Sequence, residues 1–358
     1  NSNKMSTSFH ALTVKKINKE TADTVTITLE VPPILTGEFQ HIAGQYLTFK
    51  KTVNGEEIRR SYSICSAPYE KELSVAVKAI ENGLFSQFAV NELKVGDTLD
   101  TMPPMGNFKI TPDANAQKNH IFYAAGSGIT PVISMVKTIL KEEPKSKVHM
   151  FYGNKSAADT IFLEELDALD AANDNFELVH FLSREDTGNP ITNGRIDQST
   201  CASIFNTYLH GADVDAVYAC GPEQMIMCVK DFYTNKGMDK SKIHFELFKT
   251  SVPTENIAVE SGEVISSNVT VVIDDEEYQF DLNSNGKNIL QAAQDQDADV
   301  PFSCKGGVCC TCRAKVMEGT VRMDLNFALE EDEVADGFIL TCQAHPTSEK
   351  VVISFDEY

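Results

Sequence analysis

Four cysteines fall within nine residues, Cys304-Lys305-Gly306-Gly307-Val308-Cys309-Cys310-Thr311-Cys312, and Cys342 follows thirty residues later. With Cys310 set aside, the spacing is C-x4-C-x2-C plus one distant Cys, the ligand order of a plant-type [2Fe–2S] centre. Thiolate is soft and donates strongly to iron. No helix face or single strand presents three thiols at those intervals to one point, so the loop must curl. Gly306 and Gly307 give it the backbone freedom to do so, and their N–H groups are placed to hydrogen-bond sulfur and tune its potential. Zinc is the alternative, although zinc sites more often arrive as two C-x2-C pairs. Cys304, Cys309, Cys312 and Cys342 are the expected ligands, and Cys310 is expected not to be one. A centre of this kind carries one electron at a time, so the rest of the chain should supply electrons, accept them, or both.

The 358 residues suggest two or three domains. No run of 18 apolar residues occurs, so no membrane span is expected, and the polar stretch Asn1–Lys19 lacks a signal-peptide core. An odd count of nine cysteines, four of them clustered, fits a reducing cytoplasm better than a disulfide framework. A net charge of −21 argues against a nucleic-acid partner. That charge is uneven: residues 265–358 hold 18 acidic and 6 basic side chains. This acidic quarter reads either as a solvated surface or as one that steers docking to a basic patch.

The first hundred residues contain short β-branched runs broken by turn residues: Ala11–Val31, Gly44–Phe49 and Leu73–Lys78. This pattern predicts an antiparallel barrel. Within it, Arg60-Ser61-Tyr62-Ser63 places a cation and an aromatic ring on one strand face, suited to gripping a phosphate and stacking on a flat ring. Gly83-Leu84-Phe85-Ser86 opens a helix whose free N–H groups can bind an anion, or Ser86 simply caps it.

The middle of the chain alternates strand and helix, which implies a parallel sheet with ligands at strand C-termini. Ile121–Ala125 is a buried-strand run, followed by Gly126-Ser127-Gly128-Ile129-Thr130-Pro131 and an apolar helix, a phosphate-binding turn. Pro131 replaces the third glycine of the strict dinucleotide fingerprint. Further strands are expected at Val148–Tyr152, Phe176–Ser183 and Val217–Ala219, with helices over Phe162–Leu169 and Glu223–Tyr233. Ser183-Arg184 ends one strand, where an Arg favours the 2′-phosphate of NADPH over NADH, although Glu185 follows. Cys220-Gly221-Pro222 ends another. Residues 250–268 read as a linker, and the final stretch as a hairpin about Asp274-Asp275, a helix over Asn288–Gln296, and the cysteine loop.

In order, these motifs resemble the ferredoxin–NADP reductase family. The resemblance implies that Arg60 contacts flavin phosphate, Tyr62 packs on the isoalloxazine and Ser63 lies near its reactive N5. It makes Gly83–Ser86 the pyrophosphate turn, Pro104–Phe108 the segment closing the barrel and Gly126–Pro131 a nucleotide turn. Cys220 would sit near the nicotinamide, with Gly221 and Pro222 in the same turn, and Glu246 close to the flavin. Ser61, Val77, Lys78, Leu84, Phe85, Ser127, Thr130 and Ser183 complete the expected cofactor contacts, and Ser63, Cys220 and Glu246 position the hydride step. The final residues resemble a plant-type ferredoxin, a β-grasp. The expected organisation is a flavin barrel over 1–112, a nucleotide domain over 113–250, a linker over 251–266 and a ferredoxin domain over 267–358.

The module order fits a mismatch in electron count. Nicotinamide gives two electrons at once, an iron–sulfur centre takes one, and a flavin handles both. The whole chain is similar to oxygenase reductases with a C-terminal ferredoxin, in the branch that serves phenylacetyl-CoA epoxidase, so the implied acceptor is a di-iron oxygenase. FAD is the expected flavin and FMN, as in the phthalate dioxygenase reductase branch, the alternative. Two other readings stand beside it: a reductase of a ring-hydroxylating dioxygenase or other monooxygenase, and a redox-sensing or zinc-stabilised interaction protein that is no enzyme.

Overall fold

The computed structural model describes residues 7–53, 55–249 and 264–357. The linker expected at 251–266 falls mostly outside them. The chain forms two compact units, one made of Phe9–Pro104 with Phe108–Leu247, the other mainly of Phe248–Tyr358.

The first unit begins with β1 (His10–Thr21) and β2 (Thr24–Glu30), a hairpin whose turn residue Asp23 accepts from the hydroxyls of Thr21 (2.9 Å) and Thr24 (3.2 Å). Strands β3 (Tyr46–Val53), β4 (Glu56–Ser63), β5 (Leu73–Lys78) and β6 (Thr98–Met105) complete a six-stranded sheet in the order β4-β3-β6-β1-β2-β5. A bridge between Ile64 and Val75, and the Cys65 N–H to Ser74 carbonyl bond at 2.9 Å, join its two edges and close it into a barrel. The β-branched runs supply the filling: Val14, Ile27, Ile64, Val75 and Val77 are fully buried with Leu12, Leu47 and Phe49. Helix α1 (Leu84–Asn91) follows β5. Gly44 and Gln45 lie in a turn, so β3 starts two residues later than the apolar run suggests.

The same unit continues with β7 (Asn119–Ala125), α2 (Ile129–Glu142), β8 (Lys147–Asn154), α3 (Leu163–Ala172), β9 (Phe176–Leu182), α4 (Gln198–Thr207), β10 (Ala216–Cys220), α5 (Glu223–Asn235) and β11 (Ile243–Glu246). The five strands are parallel in the order β11-β10-β7-β8-β9. The order reverses at β7 and β10, the switch point at which such sheets leave a ligand crevice. Every residue of α2 from Ile129 to Ile139 is buried, because the helix has sheet on one side and barrel on the other. Ser134 Oγ donates to the Ser66 carbonyl at 2.7 Å, and Lys137 Nζ reaches Glu70 (2.9 Å) and Glu165 (3.1 Å). Burial works against the Lys137 charge, but the two carboxylates outweigh it and raise its pKa.

The second unit holds β12 (Ser266–Ile273), β13 (Glu276–Asn283), α6 (Ile289–Gln294), β14 (Arg313–Glu318), β15 (Val321–Met323), α7 (Glu331–Ala335), β16 (Phe338–Leu340), β17 (Ala344–Pro346) and β18 (Lys350–Ser354). Its main sheet runs β13-β12-β18-β14-β16, with β12 and β18 parallel and the other pairs antiparallel, the mixed sheet expected of a β-grasp. Asp274 and Asp275 both take positive φ at the hairpin, and Asp356 accepts from both their N–H groups. Asn288 caps α6, shorter than its apolar spacing suggests, and Ile289, Leu290 and Ala293 pack into a core with Val269, Val271 and Ile353.

A buried polar node ties the start of the nucleotide part together. Glu143 accepts from His120 Nε2 (2.9 Å), Ser146 Oγ (2.8 Å) and the Asp113 N–H (2.9 Å). Burial opposes its ionisation, yet these donors hold the carboxyl below its ordinary value. Removing one partner leaves the others buried without it. Glu143→Ala is therefore expected to cost about 3 kcal/mol of stability and Glu143→Gln less. An unchanged urea midpoint in the Ala variant would rule this out.

Candidate functional site

The C-terminal ends of β7 and β10 approach closely. A Cβ on Gly128 would lie 2.1 Å from the Cys220 carbonyl oxygen, and one on Gly221 would meet Ala125 N at 3.1 Å. Only glycine lets these two loops meet, which fixes the floor of the crevice. Gly126 takes φ +54° and has open space where its Cβ would point, so its backbone can be approached from outside. The Thr130 hydroxyl donates to the Ser127 carbonyl at 3.0 Å and Tyr152 Oη to the Gly126 carbonyl at 3.0 Å, holding the turn. Pro131 sits in the first turn of α2, where it has no hydrogen bond to lose. Tyr152, on β8, was not foreseen from sequence, because a Tyr in a buried-strand run reads as core.

Three side chains expected to act together do meet. Ser63 ends β4 of the barrel, and its Oγ donates to Glu246 Oε2 at 3.2 Å across 183 residues of sequence. Glu246 ends β11 in register with Cys220 on β10, so the two lie side by side at one edge of the crevice. The Glu246 side chain keeps a narrow opening to solvent, but the protein around it is dense enough that burial lifts its carboxyl to about 8, the Ser63 hydroxyl opposing. Cys220 is fully buried, and burial, reinforced by Glu246, pushes its thiol well above its ordinary value, so it stays protonated.

On the barrel, Tyr62 packs against Phe85 of α1 (ring centroids 5.4 Å apart) and tilts on Phe49 at 6.1 Å. Arg60 is exposed beside it, and its Nη1 donates to the neighbouring Arg59 carbonyl at 2.7 Å. Ser61 Oγ pairs with Thr48 Oγ1 at 2.9 Å. α1 starts at Leu84 with no side chain capping it. Ser86 Oγ instead bonds within the turn, accepting from Ile80 N and donating to the Gly83 carbonyl, each at 3.2 Å. A Cβ on Gly83 would collide with that hydroxyl at 2.4 Å. The turn thus offers backbone N–H groups, with Ser86 as its brace. Val77 is fully buried among the barrel core residues, and Lys78 pairs with Asp23 at 3.2 Å. An exposed Arg, an aromatic ledge and an uncapped helix start fit a flavin with a phosphate tail.

Ser183 and Arg184 lie just past β9 rather than in it. Ser183 bonds the Asn154 carbonyl through both N–H (3.0 Å) and Oγ (3.3 Å), while Arg184 is exposed. The Glu185 carboxylate accepts from the Ala157 N–H at 2.8 Å. Pro222 leads into α5 from the Cys220-Gly221 turn.

In the second unit the four expected cysteines converge. Cys309 Sγ lies 3.1 Å from Cys304 Sγ, and Cys342 contacts both Cys304 and Cys312. No disulfide joins any of them. Hydrogen bonds from Cys309 and Cys342 hold the Cys304 thiol well below its ordinary range, helped by the N–H groups of Gly306 (3.3 Å) and Val308. Gly307 takes φ +71°, where a Cβ would press on Leu325 O and Gln343 Cγ at 3.1 Å. Four soft donors with backbone N–H groups aimed at sulfur fit an iron–sulfur cluster, whose sulfurs carry negative charge. The segment carrying Cys342 clasps the loop at two points: Thr341 N and Oγ1 donate to the Cys312 carbonyl (3.1 and 2.9 Å), and Gln343 Nε2 donates to the Lys305 carbonyl (3.2 Å). Neither Thr341 nor Gln343 carried a sequence signal beyond lying beside Cys342.

Comparison with known proteins matches each part. An oxidoreductase FAD-binding domain signature spans residues 11–110, an oxidoreductase NAD-binding domain 122–231 and a 2Fe-2S iron–sulfur cluster binding domain 271–347. The chain is 40% identical to one of the subunits of 1,2-phenylacetyl-CoA epoxidase from Escherichia coli (strain K12), over 98% of both chains. It is 30% identical to the ferredoxin reductase component of 3-ketosteroid-9-alpha-monooxygenase from Rhodococcus rhodochrous, over 96% of both. Among solved structures, phthalate dioxygenase reductase shares its fold at a TM-score of 0.58 and 23% identity, covering 97% of this chain and 98% of that one. FAD, NAD(P)H and a [2Fe–2S] cluster are accordingly its cofactors, and it is an oxidoreductase rather than an interaction protein. The chain belongs to the ferredoxin–NADP reductase family, among the oxygenase reductases that carry a C-terminal plant-type [2Fe–2S] ferredoxin domain.

Proposed function

We propose that the chain draws electrons from NADPH and delivers them singly to a di-iron oxygenase of the phenylacetyl-CoA epoxidase type. The single observation that carries the hydride half of this reading is the Ser63–Glu246 contact beside Cys220, since it joins the flavin barrel to the nucleotide crevice at one point. Bound flavin accepts electrons in pairs and releases them one at a time, and the cluster carries single electrons. The chain's own residues bind and orient. Arg60 and the α1 N–H groups take phosphate charge, Tyr62 gives the ring a ledge, and Gly126–Pro131 receives the nucleotide. Ser63 Oγ and the neutral Glu246 Oε2 hold a proton at the edge of the crevice, while the protonated Cys220 presents an uncharged, compact surface there. Cys304, Cys309, Cys312 and Cys342 hold the cluster.

The 40% identity to a component of the epoxidase supports that acceptor. The 30% identity to a ketosteroid monooxygenase component keeps a second oxygenase class in view. Turnover of the purified reductase with each candidate oxygenase separates them, and the reading is lost if only the second couples. A cytoplasmic location goes with the reading. Among the described residues no helix is long and apolar enough to cross a membrane.

Cys342→Ser is expected to lose the cluster while keeping NADPH–ferricyanide activity, because flavin alone reduces that dye. Simultaneous loss of dye reduction would show that the cluster does not lie downstream. Arg184→Ala should raise the KM for NADPH about tenfold or more and leave that for NADH nearly unchanged, since one charge-assisted phosphate contact disappears. Equal effects on both coenzymes would remove the NADPH preference. For Glu246, the folded carboxyl keeps its proton up to about pH 8, whereas the unfolded one gives it up near 4.5. Folding therefore binds a proton in that window, and the stability it contributes falls as pH rises through it. Relative to the parent, Glu246→Gln should gain stability in urea between about pH 4.5 and about 8. A pH-independent difference would mean the carboxyl is ionised in the folded protein.

A further inference from the structure

The amide of Gln343 is buried at 4% exposure, beside the fourth expected ligand and beneath the cysteine loop. Its Nε2 lies 3.2 Å from the Lys305 carbonyl and 3.8 Å from Cys342 Sγ. A carbonyl oxygen can only accept, so the amide nitrogen, not its oxygen, must face Lys305. That orientation directs one N–H to the loop and leaves the second for the sulfur. The backbone of Gln343 is fixed as well, since its carbonyl accepts from Asp324 N at 2.9 Å. Its Cγ lies 3.1 Å from where a Cβ on Gly307 would point, so the side chain packs against the loop. Backbone N–H groups serve Cys304, while Cys342 receives its hydrogen bond from a side chain that can be replaced.

We propose that Gln343 is a positioning residue of the [2Fe–2S] centre, locking the Lys305 turn onto the Cys342 segment and donating to the Cys342 sulfur so as to raise the cluster's reduction potential. The physical reason is charge. Reduction adds an electron to a cluster whose sulfurs are already negative, and a donor aimed at sulfur stabilises the reduced state more than the oxidised one. In a buried site this effect is not screened by water. The proposal rests on the assignment of Cys342 as a ligand and adds to it a residue that binds no iron.

Gln343→Met keeps the length and unbranched shape of the side chain and removes both donors. The expected result is a protein that still holds iron and sulfide but whose cluster, at a fixed solution potential, shows a reduced-to-oxidised ratio about tenfold lower, equivalent to about 59 mV for one electron. Faster loss of the cluster to a chelator should accompany it. A fully loaded variant with the parent's potential would overturn the proposal. In parent protein labelled with 15N on glutamine side chains, the reduced cluster's hyperfine spectrum should show a 15N coupling. If the Met variant cannot hold a cluster, this measurement decides alone, and its absence overturns the donation to sulfur. The ligand assignment fails differently: Cys342→Ser would then retain a normal cluster, whatever the Gln343 variants do.

Discussion

The close approach of two strand ends sets the geometry of the whole reductase unit. Gly128 lies against the Cys220 carbonyl at a distance no side chain would tolerate. Directly after the turn that holds Gly128, α2 is buried along eleven successive residues. A helix buried that way needs apolar cover on its second side, and the barrel supplies it, with Ser66 and Glu70 bonded directly to α2. The barrel is thereby held where Ser63 meets Glu246. Packing at one glycine, rather than any strong bond, brings residues from opposite ends of the unit to a single edge.

The electrostatics there differ from those at Cys304 in the second unit. At the crevice, Glu246 and Cys220 are both pushed by burial towards their uncharged forms. Around the cysteine loop, hydrogen bonds from Cys309 and Cys342, helped by the N–H groups of Gly306 and Val308, favour the charged thiolate of Cys304. In the first environment a charge would be costly to bury, so both groups hold their protons. The second suits a site that must hold negative sulfur on a metal. Each lies in a part of the chain with its own core.

Much of this was legible from residues alone, for identifiable reasons. The cysteine spacing is a covalent constraint on a loop, so it survives any packing. The turn after β7 follows strand periodicity and glycine placement, which are local, whereas Ser63, Cys220 and Glu246 stand out only through the family resemblance. Other features came from tertiary context. The burial of Val77 in the barrel core and the pairing of Lys78 with Asp23 are set by the closed sheet, not by the local sequence. Ser86 looked like a ligand or a cap, and instead braces its own turn. Helix α4 was missed although Asp197 accepts from Thr200 N at its start, because the surrounding Asn, Gly and Thr residues read as loop. Gln343 was invisible, since its partners Lys305 and Cys342 are distant from one another in sequence.

The buried Lys137 ammonium, shared by a barrel carboxylate and one on α3, bears on how such proteins can be reassembled over evolution. Exchanging the barrel alone would strip Glu70 from a cation in a dry interface, and exchanging the sheet alone would leave Glu70 without its partner. An exchange of either part alone keeps this ion pair only where the incoming part brings its own charged group to the same place. The ferredoxin part is filled from a core of its own, with Val269, Val271, Ile289, Leu290 and Ile353 among its members.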